Sequence, residues 1–152
     1  MSNSIKIVVP TDFSNESLAV LDWVKRLSDR GHAEVHCVNV VQQPMMYMPV
    51  APGTAMGTMP SVNELQGIAK QSLTTFVEAH MFDLETLPLT KVLVGRPAEE
   101  ITNYAQEIDA QMIVIATRGQ SGLAHMMLGS TAEGVVRSAK CPVLTVRSDT
   151  GA

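Results

Sequence analysis

Five short apolar runs alternate along this chain with stretches whose apolar residues recur at three- and four-residue steps. The runs are Ile5 to Pro10, Ala33 to Val41, Leu89 to Val94, Met112 to Ala116 and Val143 to Val146. Runs this short and this apolar read as strands buried on both faces. Such strands, joined by helices, form an open parallel sheet with right-handed crossovers and helices on both faces. The first helix opens at Ser14 and Glu16, repeats Leu18, Leu21, Val24 and Leu27, and is ended by Gly31. A later one starts at Pro97, with Glu99 and Glu100 facing the positive end of its dipole, and runs through Ile101, Tyr104, Ala105 and Ile108. The fold class is therefore α/β, with the strand order left open.

A chain of 152 residues reads as a single domain over residues 1–152, large enough for its own core. Its 45% hydrophobic and 17% charged content excludes a disordered chain, and with only 4% aromatics the core must be aliphatic. A net charge of −4 with scattered Lys and Arg argues against a nucleic-acid surface, which needs a basic stripe. Met1-Ser2-Asn3-Ser4 leads straight into a strand, unlike a signal peptide, and no apolar run approaches the roughly 20 residues of a membrane helix. The expectation is a cytoplasmic protein. Cys37 and Cys141 lie in separate apolar runs and read as buried, reduced thiols. His36 adjoins Cys37 but points to the opposite face of the strand. His32 and His36 are four apart, yet Gly31 ends the helix before them, so no helical metal pair and no metal site is expected.

The stretch from Gln42 to Ser61 breaks the pattern. It holds Met45, Met46, Met48, Met56 and Met59 together with Pro44, Pro49, Pro52 and Pro60, which rules out a regular helix or a central strand. Two readings stand: a lid or partner-docking segment with an adaptable methionine surface, or a loop that varies freely.

Between the fourth strand and a helix read from Ala132 to Ala139 lies Ala116-Thr117-Arg118-Gly119, then nine residues, then Gly129-Ser130-Thr131. Glycine lets the backbone approach a ligand, and free amides at a helix start attract phosphate. A phosphorylated ligand is therefore expected. No lysine follows Gly129, so the lysine-bearing phosphate loop is absent, and no glycine lies in the turn Pro10-Thr11-Asp12-Phe13-Ser14, so the dinucleotide fingerprint is absent too. Ser130-Thr131-Ala132-Glu133 also has the form of a capping box, which would satisfy the same amides without a ligand. Arg118 suits a phosphate or a solvent-facing loop. His125 reads as an exposed loop histidine, and with no nucleophile and base at a telling spacing the chain reads as a binding protein.

Residues along the whole length resemble the universal stress protein family. Gly119, residues 120 to 128 and Gly129-Ser130 match the second half of its nucleotide loop; Ile7-Val8-Val9-Pro10-Thr11-Asp12-Phe13-Ser14, Val94-Gly95-Arg96-Pro97-Ala98-Glu99-Glu100-Ile101 and Ala139-Lys140-Cys141-Pro142-Val143-Leu144 are further landmarks. The resemblance implies strand order 3-2-1-4-5, an adenine nucleotide alpha hydrolase-like fold. It also implies ATP, with Mg²⁺ left open, in a site made by Thr11, Asp12, Val40, Ala116, Arg118, Gly119, Gly129, Ser130 and Thr131. Asp12 would hold a ribose hydroxyl or help place a metal ion, a helix-cap role being its alternative, and the Val40 backbone would meet adenine. Slow ATP hydrolysis or self-phosphorylation at Ser130 or Thr131 also comes with the family.

Two departures stand out. Ala116 takes the place of a glycine usual in nucleotide-binding relatives, which matters if that position needs positive φ or room for the ligand; Gln111 replaces a frequent aspartate. The two function readings are an ATP-binding regulatory protein in stress response, and a member without nucleotide that acts as a dimeric interaction module. A homodimer through Pro142 to Val146 is expected, because an apolar edge strand invites pairing. An unknown protein partner is left open.

Overall fold

Alternation along the strands divides the apolar side chains between two layers. The computed structural model describes residues 4–30, 32–42, 52, 60–118 and 128–148. β1 (Ile5–Pro10), β2 (Ala33–Val41), β3 (Leu89–Val94), β4 (Met112–Ala116) and β5 (Val143–Val146) form one parallel sheet in the order β3-β2-β1-β4-β5. The helices are α1 (Leu21–Asp29), entered through a 3-10 turn over Glu16–Val20, then α2 (Val62–His80), α3 (Pro97–Glu107) and α4 (Ser130–Ser138). Ile7, Val9, Cys37, Val114 and Ala116 pack with Val24 of α1 and Leu73 and Phe76 of α2. Val8, Val38, Ile113 and Ile115 face the other way, onto Ile101 and Ala105 of α3 and Ala132 and Val135 of α4. A period of two in a strand with both faces covered produces this division.

All five strands fall where the apolar runs place them. The first helix departs slightly: it opens as a 3-10 turn, with Ser14 Oγ accepting from the Ser17 amide at 3.3 Å. α2, the longest helix, begins at a capping box in which Ser61 Oγ accepts from the Glu64 amide and Glu64 accepts from the Ser61 amide. α3 and α4 pack so closely that a Cβ on Gly134 would come within 2.6 Å of that of Ala98. α3 ends on Asp109 at φ 55°, the left-handed conformation that aspartate tolerates, with the Ala110 amide closing back on Ala105 O.

The polar residues inside this frame are satisfied. Gln111 is structural: its side chain accepts from the Lys6 amide at 2.6 Å and donates to Asp109 O. His36 and Cys37 lie on opposite faces, as alternation requires. The His36 ring bridges Glu34 at Nε2 and Tyr104 of α3 at Nδ1, both at 2.7 Å. Because the Glu34 carboxylate only accepts, Nε2 carries a proton toward it. Both cysteines are free; burial pushes the Cys37 thiol up to about 12 and raises that of Cys141, which is only half-buried, so both remain thiols at neutral pH.

Candidate functional site

Strand order reverses between β1 and β4, and the backbone opens there. The β1–β4 ladder holds only Ile7↔Met112 and Val8↔Ile113, whereas β1 and β2 stay paired through Pro10↔Val38. The Thr11 amide donates to Val38 O, on the β2 side. Successive residues of a strand point their amides to opposite edges, so position 10 faces β4. There a proline has no N–H to offer. The ladder therefore cannot continue, and the carboxyl ends of β1 and β4 bound a cleft of about 340 Å³. A crevice at such a switch point is where open α/β sheets bind ligands.

Of the residues read from sequence as a site, Thr11, Asp12, Val40, Ala116, Arg118, Gly129, Ser130 and Thr131 all line this cleft. Gly119 lies outside the described residues, as do His125, Gly31 and most of the methionine-bearing segment. Gln42, the first residue of that segment, is at the cleft wall.

One wall is the first turn of α4. Its N-cap is Gly129, at φ −69° and ψ 163°, and no side chain caps it. The capping box that Ser130–Glu133 offered as the alternative to a ligand site does not form: the helix starts one residue earlier than that register needs and two before the Ala132 read from sequence. Ser130 is consequently the first helical residue, and the Glu133 carboxylate pairs with Arg137 at 2.7 Å instead. Gly129 donates to Thr117 O and accepts from the Glu133 amide, while among the described residues nothing accepts from the amides of Ser130, Thr131 and Ala132. Thr117 in turn donates to Val146 O at 2.9 Å, which ties this turn to the end of β5. Three N–H groups at the positive end of a helix dipole, with no acceptor among the described residues, make an anion-seeking surface.

The opposite wall is rich in acceptors. Asp12 Oδ1 accepts from the Ser14 amide at 3.0 Å and from the Ser14 hydroxyl at 2.5 Å, so Asp12 does form a turn, and it lines the cleft as well. The Phe13 amide donates to Thr11 Oγ1 at 3.0 Å, and Ser17 Oγ donates to Ser14 O at 2.7 Å. The remaining contact, Thr11 Oγ1 to Ser17 Oγ at 3.0 Å, must then run from the threonine. Phe13 sits at φ 66°, costly for an aromatic residue, and its ring is braced edge-on against Phe76 of α2. Asn39 Nδ2 donates to Thr11 O at 2.9 Å.

Sequence reading missed Asn39, Ser17, Thr117, and the apolar Pro97, Ile101 and Ile115, all of which line the cleft. Only Asn39 left a visible signal, as an amide inside the apolar run Val38-Asn39-Val40-Val41. Ala116 is an ordinary strand residue. Positive φ among the described non-glycine residues occurs only at Phe13 and Asp109, so alanine carries no backbone penalty at position 116. It also belongs to the layer against α1 and α2.

The universal stress protein family model matches residues 5–147. The chain belongs to the universal stress protein family. It is 34% identical to Universal stress protein MJ0531 of Methanocaldococcus jannaschii over 93% of this chain and 81% of that one. To Universal stress protein YxiE of Bacillus subtilis it is 30% identical, over 93% and 98%. The solved structure of hypothetical protein MJ0577 superposes with a TM-score of 0.78 at 25% identity, over 97% of this chain and 98% of that one. Three more distant structures share the fold at TM-scores of 0.61, 0.65 and 0.61 and identities of 22%, 20% and 16%. Each likeness spans at least 93% of both chains: a universal stress protein with cAMP, one from Archaeoglobus fulgidus with dAMP, and one from Arabidopsis thaliana with AMP. Among the described residues of this universal stress protein, no helix is long and apolar enough to cross a membrane.

Proposed function

We propose that this universal stress protein binds an adenine nucleotide, ATP in the first instance, in the cleft between β1 and β4, and acts as a regulatory binding protein in stress response rather than as an enzyme. The observation that carries this reading is the first turn of α4 on the cleft wall, whose amides at Ser130, Thr131 and Ala132 have no acceptor among the described residues. Nucleotides in structures of the same fold support the ligand class. Charge sets its direction: phosphates go to the α4 turn, and the end that carries donors goes to Asp12 and Asn39.

The residues present suit this ligand. Val40, Ile115, Pro97 and Ile101 offer an apolar surface to a base, and Arg118, which lines the cleft with Gly129 and Ser130, brings a positive charge suited to phosphate. Mg²⁺ would travel on the phosphate oxygens, with Asp12 the carboxylate that could share it, since among the described residues no three His, Cys, Asp or Glu side chains gather into a metal cage. Ala116 carries no backbone penalty, so of its two objections to a nucleotide only the room taken by its methyl on the cleft wall is left, and titration answers it. Calorimetry of the nucleotide-stripped protein with Mg·ATP is expected to give a micromolar dissociation constant. Absence of both heat and thermal stabilisation at millimolar ATP would leave the interaction-module reading.

The same reading includes a homodimer through β5. Among the described residues both sheet edges are open, but they differ in charge: β3 carries Lys91 in its middle, which would oppose its own copy, whereas β5 reads Val143-Leu144-Thr145-Val146 with no charge at all. Sedimentation at micromolar concentration should show a dimer, and Thr145→Lys should give a monomer; a wild-type monomer would remove the idea.

A further inference from the structure

The turn Thr11–Ser14 serves two surfaces. Thr11 and Asp12 line the cleft, whereas the Phe13 ring packs on the layer against α1 and α2, and neither Phe13 nor Phe76 borders the cleft. Both ends of the turn are anchored. The Thr11 amide donates to Val38 O and the Thr11 carbonyl accepts from Asn39 Nδ2, while Ser14 O accepts from the Ser17 amide at 3.2 Å. Between these anchors Phe13 stands at φ 66°, a left-handed conformation that only Asp109 shares among the described non-glycine residues. Aspartate tolerates that region; phenylalanine does not favour it. For a residue with a Cβ the left-handed conformation is disfavoured by about 5- to 30-fold, so the turn must be held.

Local polar contacts do part of this. The Phe13 amide donates to Thr11 Oγ1 and the Ser14 amide to Asp12 Oδ1, contacts open to any residue at position 13. What phenylalanine adds is its ring, which meets Phe76 edge-on with centroids 6.0 Å apart and planes at 62°. Phe76 is itself fixed, 7% exposed within the same layer and tilted against the His80 ring at 5.0 Å. An aromatic pair of this geometry contributes about 2- to 10-fold beyond the area it buries, the same order as the conformational cost. We propose that Phe76 of α2 is a positioning residue for the cleft: through the Phe13 ring it holds the turn left-handed, and with it the wall that Thr11 and Asp12 present to the ligand. The inference rests on the nucleotide reading above and adds to it a residue that touches no ligand.

The test is calorimetry with Mg·ATP, and thermal melting, on the wild-type protein, Phe13→Gly, Phe13→Ala, Phe76→Leu, and Phe76→Leu in the Phe13→Gly background. Both substitutions at position 13 remove the ring and differ by one methyl, but glycine enters the left-handed region about as readily as the right-handed one. Phe13→Gly is therefore expected to bind within about threefold of wild type. Phe13→Ala should bind about 5- to 30-fold more weakly than Phe13→Gly. Phe76→Leu should weaken binding about 2- to 10-fold where Phe13 is present and leave it unchanged in the Phe13→Gly background, which has no ring to hold. A Phe76 that merely filled the core would lower the melting temperature in both backgrounds and change affinity in neither, which would overturn the proposal. Equal affinity of Phe13→Gly and Phe13→Ala would overturn it as well, whether both match wild type or both are lost, and wild-type binding of Mg·ATP would still stand. If wild type takes up no Mg·ATP at millimolar concentration, both readings fall.

Discussion

Ser130→Glu is expected to weaken ATP binding by about 30- to 1,000-fold and to leave the fold as stable as before or slightly more so. The two effects have opposite signs because they share one cause. Ser130 is the exposed first residue of α4, where the helix dipole favours a carboxylate by about 0.3–1 kcal/mol. A phosphate seated on the same turn would then meet a second negative charge within a few ångströms. At the effective dielectric of a protein surface, two unit charges about 4 Å apart repel by about 4 kcal/mol. An exposed side chain that swings aside relieves part of this, which gives the lower end of the range. Calorimetry and thermal melting of one preparation measure both quantities. Unchanged affinity with raised stability would place the phosphates elsewhere; lost affinity with lost stability would mean a damaged helix.

The second large effect belongs to the core. Leu73→Ala is expected to cost about 2–5 kcal/mol, since Leu73 on α2 is fully buried in the layer that also holds Ile7, Val9, Val24 and Val114 and its removal leaves a cavity there. Against a total of about 5–15 kcal/mol for a typical domain, that is a large fraction. Leu73 lies in the layer against α1 and α2 and does not line the cleft, so the binding site should survive. ATP at 100 times its dissociation constant should then restore about 2.7 kcal/mol to variant and wild type alike. Denaturant unfolding with and without ATP reads both numbers. An increment smaller in the variant would show that α2 supports the site, for example through the Phe13–Phe76 contact.

The centre of the sheet was legible because its strands are largely buried on both faces: apolar runs such as Ile5 to Pro10 and Met112 to Ala116 have sharp ends that coincide with the strand ends. The helix starts were less so. Ser61-Val62-Asn63-Glu64 and Ser130-Thr131-Ala132-Glu133 carry the same capping pattern, and only the first is a capping box. What separates them is the residue before. Gly129 is itself an acceptable N-cap, and once Thr117 O holds its amide the helix register advances by one, which no local pattern reveals. The same applies to the cleft. Thr11, Asp12 and Ser130 could be read as loop residues next to strand ends, but Asn39, Pro97 and Ile101 enter it by register and helix placement. Ala116 is of the same kind: whether position 116 needs positive φ is a question the sequence raises and only geometry answers, while the room its methyl leaves is a question for titration.

Pro10 divides the molecule in a way its sequence hides. With two residue pairs between β1 and β4, against six between β1 and β2 and four between β4 and β5, the sheet is two panels joined by a narrow seam, β3-β2-β1 on one side and β4-β5 on the other. A ligand that touches Asp12 and Asn39 on one panel and the α4 turn on the other lies across the seam like a stitch. Occupancy would then be felt as stiffness between the panels, and a partner protein could sense the bound state from the outside without reaching the cleft.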